Sequence, residues 1–135
     1  MKNTYILLLM LLLGSCSVDD IKPEIIRPYF TEAADIIIGD ATVEEISAST
    51  FVVKIQVTSL GKYSSATVGT VLSKTDKEPT LATVNANISK LVITETGFYQ
   101  VTYSKVPVGV YYVRPYLKNN DKTIYSTSVF RIESR

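Results

Sequence analysis

The chain has 135 residues, of which 46% are hydrophobic, and carries 14 Lys and Arg against 13 Asp and Glu. This length predicts a single folded domain, and the balanced charge excludes the basic surface that nucleic-acid binding requires. The absence of His and the presence of a single Cys exclude His-dependent catalytic units, disulfides within the chain and the common zinc sites. We therefore expect no catalytic residues, no metal, no cofactor and no nucleic-acid partner.

Residues 1–15 predict a signal peptide. Lys2 precedes an apolar run from Ile6 to Leu13. As a helix this run spans only about 12 Å, whereas the hydrocarbon core of a bilayer is about 30 Å thick. The run is therefore too short for a transmembrane anchor and is typical of a secretory signal.

The end of this segment, Leu13-Gly14-Ser15-Cys16, resembles the lipobox of bacterial lipoproteins. In that motif small residues precede a Cys that is lipidated and becomes the mature N-terminus. The resemblance implies lipidation of Cys16 and attachment to a membrane through N-terminal acyl chains such as palmitate. Each buried methylene contributes about 0.8 kcal/mol, so several chains attach a protein firmly. The alternative is an ordinary signal peptide with an incidental Cys.

We interpret residues 16–35 as the lipidated Cys followed by an acidic tether, because this segment carries a net charge of −3. Pro23 and Pro28 disfavour helix within it. The pair Asp19-Asp20 resembles the signal that sends lipoproteins of Bacteroidetes-type bacteria to the outer leaflet of the outer membrane, although a solvated spacer explains it equally well. The expected localisation is the outer membrane, lipid-anchored and exposed at the cell surface.

Residues 36–135 carry the pattern of an all-β domain and a net charge of +3. The clearest strand lies at residues 51–58, where large apolar residues occupy every second position. Further strands, bounded by Gly, Pro and Asn turn signals, are predicted at residues 43–46, 67–73, 98–104, 110–117 and 123–132. Short strands at this spacing predict an immunoglobulin-like sandwich of about seven strands.

Eight short motifs follow one another in a recognisable order between residues 41 and 132. They are Val43–Ile46, Thr50–Val57, Gly69–Ser73, Pro79-Thr80, Gly97-Phe98, Tyr111–Tyr116, Thr123–Tyr125 and Val129-Phe130. Together they resemble the fibronectin type III-like domains of Bacteroidetes lipoproteins. The resemblance implies that fold for residues 36–135, and a glycan as the ligand class, because small lipoproteins with such domains resemble accessory components of polysaccharide-utilisation systems.

Two departures from the resemblance bear on the structure. Pro115 falls in a strand that would lie inside a sheet, and its missing N–H predicts a bulge or a free edge at that point. The preceding turn is one residue shorter than usual, so either Tyr111 or Tyr112 is the tyrosine-corner residue. We prefer Tyr111, which places Val113 and Leu117 on the inner face.

Tyr112, Arg114 and Tyr116 would then share the outer face, and they are the candidate ligand-binding residues. Aromatic rings stack on sugars or apolar surfaces, and Arg adds directional donors. The alternative is structural, because tyrosine pairs and Arg-on-Tyr stacking also stabilise exposed sheet faces.

Two other groupings have simpler explanations. The loop Lys118–Lys122 contains oxygen ligands, but its few carboxylates predict a hairpin turn and not a calcium site. Glu44 and Glu45 are adjacent in a strand, so their side chains point to opposite faces and cannot act together on one glycosidic bond.

These observations predict a non-catalytic, lipid-anchored binding or presentation module at the cell surface, with glycan recognition as an accessory to polysaccharide uptake. The alternative is a structural spacer, or an assembly or adhesion subunit that pairs with another surface protein through a sheet edge.

Overall fold

The computed structural model describes residues 35–135. The predicted signal peptide, Cys16 and the tether up to residue 34 lie outside the described residues. Within residues 35–135 the structure contains no helix of the length and hydrophobicity needed to cross a membrane.

Eight strands form two antiparallel sheets in the described part of the chain. They are β1 (Ile36–Ser47), β2 (Thr50–Leu60), β3 (Ala66–Ser73), β4 (Asn87–Ile93), β5 (Gly97–Tyr103), β6 (Gly109–Lys118), β7 (Thr123–Tyr125) and β8 (Phe130–Ser134). One sheet has the order β1-β2-β5, and the other has the order β4-β3-β6 with both β7 and β8 paired to β6. The predicted all-β, immunoglobulin-like sandwich is confirmed.

The core lies between the two sheets, and β2 shows why the sequence forms it. Phe51, Val53, Ile55 and Val57 are each no more than 2% exposed. Because alternate side chains of a strand point to the same face, this period of two places all four against the opposite sheet. Val113 and Leu117 of β6 meet them there, as predicted.

The structure differs from the prediction at β4, at β1 and in the last strand. The sequence did not predict β4, because it is an edge strand in which Ile93 alone is buried and solvent reaches side chains on both faces. The second difference is β1, which begins at Ile36 instead of residue 43. Its pairing with β2 shifts register around Ile38 and Ala41, and these irregularities break the alternation that would have indicated a strand.

The predicted last strand is divided into β7 and β8, and Pro115 explains the division. Ser126 donates its backbone N–H to the Pro115 carbonyl at 2.9 Å. In a regular antiparallel ladder, the residue at position 115 would also donate its N–H to the Ser126 carbonyl, but proline has no N–H. The pairing of β6 passes from β8, at Val113, to β7, at Tyr116, on either side of this position. The expected irregularity at Pro115 is confirmed.

A buried hydrogen-bond network connects the two sheets. The Tyr103 hydroxyl of β5 is hydrogen-bonded to the Thr70 hydroxyl of β3, which in turn lies 2.8 Å from the Ser89 hydroxyl of β4. The Tyr116 hydroxyl of β6 donates to the Ser89 carbonyl at 2.9 Å. Four strands from both layers therefore share one polar cluster, and most of its hydroxyl groups have partners within it.

Candidate ligand-binding site

The three residues predicted from the sequence do share the outer face of the five-stranded sheet, but they are not equally accessible. Tyr112 and Arg114 are half-buried, whereas Tyr116 is only 2% exposed. The prediction of an exposed platform is wrong for Tyr116. The connection between β3 and β4, residues 74–86, covers this face, and its Leu81 N–H donates to the Tyr125 hydroxyl beside Tyr116 at 3.1 Å.

Arg114 is held by contacts within the domain. Its Nε donates to the Ser126 carbonyl at 3.1 Å, and its guanidinium lies 4.9 Å from the centre of the Tyr125 ring. Asp76 lies near enough to interact with its charge. Donation from the Glu78 amide and the Thr83 hydroxyl, followed by the Arg114 charge, lowers the pKa of Asp76. The outer face thus shows the features of a structural cluster, and ligand binding by the three residues stays a prediction.

A concave surface lies instead at one end of the sandwich, and we call it the end groove. It has a volume of about 300 Å³. Its floor is formed by Leu72, Tyr103, Val106 and Tyr111, which are buried or half-buried. Its exposed rim is formed by Lys74, Asn85, Asn87, Ser104, Lys105 and Pro107.

Local contacts hold the floor of the end groove in place. The Tyr111 hydroxyl donates to the Pro107 carbonyl at 3.0 Å, which confirms Tyr111 as the tyrosine-corner residue. The Val106 N–H donates to the Ser49 carbonyl at 3.0 Å. The Val106 carbonyl accepts a hydrogen bond from the Ser134 hydroxyl at 2.7 Å. The loop between β5 and β6 is therefore fixed to the turn between β1 and β2 and to the end of β8.

The rim of the end groove is positively charged. Lys74 Nζ lies 5.9 Å from the centre of the Tyr111 ring, and Lys105 lies on the loop that follows β5. Neither ammonium takes part in a salt bridge within residues 35–135. Their charges are thus available to a ligand with a negative group.

Backbone strain is also concentrated at this rim. Asn85 and Lys105 have φ values of 59° and 55°, and they are the only residues other than glycine with positive φ in the described chain. Asn tolerates this left-handed conformation, whereas Lys adopts it less readily. Strained residues of this kind often occur at binding sites.

A second groove, which we call the side groove, runs between β1 and β8 and has a volume of about 570 Å³. Its charges are already paired. Arg135 contacts Glu45 at 2.9 Å, and Arg131 contacts Glu133 at 3.5 Å. The side groove therefore offers less uncompensated charge to a ligand than the end groove does.

The end groove lies far from the point where the chain enters the sandwich. Ile36 pairs with Leu60 at one end of the first sheet. At the opposite end Ser47 pairs with Thr50, and the neighbouring strand β5 ends at Tyr103, in the floor of the groove. Strand β1 has 12 residues, which corresponds to roughly 40 Å along the domain.

Comparison with known proteins gives little further information. No family model and no curated protein matches the chain. Among solved structures, the sensor domain of the anti-sigma factor RsgI4 of Pseudobacteroides cellulosolvens is similar, with 14% sequence identity and a TM-score of 0.49, over 78% of this chain and 96% of that chain. Similarity of this degree carries no information on function.

Sequence reasoning missed the end groove. Lys74 and Asn85 lie at opposite ends of the connection between β3 and β4, and Lys105 lies between β5 and β6. The three residues are separated along the chain by up to 31 positions, so no local motif unites them. The net charge of +3 on residues 36–135 was the only signal, and it does not say where the charge is exposed. Within the described residues, no three His, Cys, Asp or Glu side chains are grouped as metal ligands.

Proposed function

We propose that this protein is a lipid-anchored recognition module of the cell surface that binds a saccharide without catalysing a reaction. Acylation of Cys16 would attach it to the outer membrane, and the acidic segment that follows would act as a tether. The sandwich then presents its binding groove to the surroundings.

The observation that carries this proposal is the composition of the end groove. Tyr103 and Tyr111 form part of its floor, and its rim contains the polar residues Asn85, Asn87 and Ser104. Ligand sites typically combine an apolar floor with a few polar groups that fix orientation, and sugars present both an apolar face and hydroxyl groups. The volume of about 300 Å³ lies at the lower limit of small-ligand pockets.

The anchor is tested first. The wild-type chain and a Cys16→Ser variant are produced in a lipoprotein-exporting bacterium that is fed labelled palmitate, and whole cells are then treated with protease. We expect the label on the wild-type chain alone, and digestion of the wild-type chain on intact cells. An unlabelled, soluble wild-type chain would overturn the proposed anchoring.

Saccharide binding is tested on a glycan array with the full chain and two matched variants. Asn87→Ala changes the rim of the end groove, whereas Tyr112→Ala changes the outer face. We expect binding that Asn87→Ala weakens and Tyr112→Ala leaves unchanged. Binding that Tyr112→Ala weakens and Asn87→Ala leaves unchanged would show that the site lies on the outer face. The absence of any glycan binding would contradict the proposed function.

A second function is supported by a different observation, the free edge of β4. Ile88, Leu91 and Val92 are 41%, 49% and 69% exposed on this strand, and no described strand pairs with its outer edge. Natural sheets usually protect such edges with charges or proline, whereas β4 has Lys90 as its one charged residue. An assembly subunit that pairs with another surface chain through β4 is therefore the alternative.

Crosslinking in intact membranes separates the two functions. A recognition module would remain a monomer and bind saccharide, whereas an assembly subunit would give a crosslinked complex that Leu91→Lys abolishes. A Lys substitution at Phe98, an exposed residue of β5, is the matched control and should leave such a complex intact.

A further inference from the structure

We infer that the end groove selects a saccharide that carries a carboxylate, and that Lys74 and Lys105 recognise the negative group. This inference rests on the proposed function and narrows its ligand class from saccharides in general to acidic saccharides.

The charge of the lining favours an acidic ligand. The groove has two ammonium groups on its rim, and its other lining residues are neutral. In the side groove each Arg is paired with a Glu of the lining. A carboxylate in the end groove would therefore form hydrogen bonds strengthened by charge, without competition from an acidic side chain of the lining.

Lys74 is already positioned for this contact. Its side chain lies along Gly109, where a Cβ would come within 3.2 Å of Nζ, and its ammonium lies over the Tyr111 ring. A side chain held by such packing loses less rotational freedom on binding than a free one, which favours affinity. The absence of a side chain at Gly109 gives Lys74 the space for this position.

Lys105 is notable because its backbone would suit a smaller residue. Glycine adopts a φ of 55° without steric cost, whereas a residue with a Cβ is strained there. The backbone conformation therefore does not account for Lys at this position. We take the strained backbone at this rim position as support for a function of the Lys105 side chain.

The neutral part of the rim points to a sugar acid. Asn85, Asn87 and Ser104 provide both donors and acceptors in the same lining as Lys74 and Lys105, and this mixture matches a ring that carries hydroxyl groups and one carboxylate.

The test compares charged and uncharged forms of related sugars. The full chain, purified in detergent, is titrated calorimetrically with oligogalacturonate, its methyl ester, a hyaluronan hexasaccharide and a chondroitin sulfate oligosaccharide. We expect at least one carboxylated oligosaccharide to bind, the methyl ester to bind about tenfold more weakly than oligogalacturonate, and added salt to weaken the interaction.

Substitutions then locate the site. Lys74→Gln and Lys105→Gln should each weaken binding of the acidic oligosaccharide about tenfold. Lys62→Gln is the matched control, because Lys62 also lies over a tyrosine, 5.4 Å from the Tyr63 ring centre, but outside the groove. It should leave the affinity unchanged.

The outcomes distinguish the inference from the proposed function. Binding of neutral saccharides that Asn87→Ala weakens, with no preference for the acids, would leave the proposed function intact and overturn the inference. Equal losses in all three Lys variants, or equal binding of hexaglutamate, would show unselective attraction between charges and also overturn it. Binding to no saccharide would overturn both.

Discussion

Arg114 donates its Nε proton to the carbonyl oxygen of Ser126 at 3.1 Å, and this is the carbonyl for which Pro115 has no N–H to offer. The guanidinium thus supplies a donor that a regular antiparallel ladder would have taken from the backbone. Ser126 is 4% exposed, so water has little access to replace this bond. Arg114, which the sequence predicted as a ligand-binding residue, therefore supplies a hydrogen bond that the sheet lacks at Pro115.

A double-mutant cycle tests this relationship. Arg114→Met should lower the free energy of unfolding by about 1–3 kcal/mol, because it leaves a buried acceptor without a partner. Pro115→Ala restores the missing N–H, so the same Arg114→Met change should cost less in that background. Urea denaturation of the four proteins gives the coupling energy. Additive effects of the two substitutions would contradict the proposed exchange of donors.

Gly69 is expected to be intolerant of any side chain. A Cβ at this position would lie 2.0 Å from the Ser89 carbonyl oxygen and 2.9 Å from the Tyr116 hydroxyl. Gly69→Ala should therefore destabilise the fold by about 2–3 kcal/mol, as overpacking of a core does. Gly39→Ala is the control, because its Cβ would meet only side-chain atoms, chiefly of Gln56, which can move. Equal loss of thermal stability in the two variants would rule out the backbone clash as the cause.

The stability of the fold should fall at high pH. Burial raises the pKa of Tyr103 above its ordinary value of 10.0, more than its bonds to Thr70 and Ser89 lower it. Burial also raises the pKa of Tyr116, and the charges of Tyr103 and Tyr125 raise it further. Above about pH 10 the unfolded chain therefore loses protons that the folded chain retains. The stability that these hydroxyls contribute is complete below pH 10 and is lost as the pH rises through the raised folded values.

Urea unfolding between pH 8 and pH 12 measures this effect. The free energy of unfolding should be level at first and then fall by up to about 1.4 kcal/mol per pH unit for each tyrosine. Tyr103→Phe should reduce the slope, and it should cost about 1 kcal/mol at neutral pH through the lost hydrogen bond. A slope in Tyr103→Phe equal to that of the wild type would show that another group causes the pH dependence.

Lys105→Gly should separate stability from binding. The variant relieves the left-handed strain at a φ of 55°. Its free energy of unfolding should therefore be about 0.5–1 kcal/mol higher than that of the wild type. The same substitution removes an ammonium from the end groove, so affinity for an acidic oligosaccharide should fall. Thermal melting and calorimetry on one sample check both effects. A variant that loses stability would show that the Lys side chain is part of the fold.

Much of the architecture could be predicted from local sequence. The alternation of Phe51, Val53, Ile55 and Val57 specified a half-buried strand without reference to its partners. The predicted hairpin turn after β6 also forms locally, because the Asn119 side-chain oxygen accepts the N–H groups of Asp121 and Lys122 at 2.9 and 2.8 Å. In the turn the deciding interactions lie within a few residues, and in β2 the repeating pattern of residue types is itself local.

The sequence by itself therefore determined the strand-rich class of this domain, the irregularity at Pro115 and the face of the sheet to which each residue of β6 belongs. Only the tertiary structure decided that Tyr116 is buried, that β4 forms an edge, and that Lys74 and Lys105 border one groove. The physical reason is that periodicity specifies the face on which a side chain lies, but not what covers that face. Covering depends on contacts between distant residues, such as Leu81 with Tyr125, and these form only when the whole chain folds.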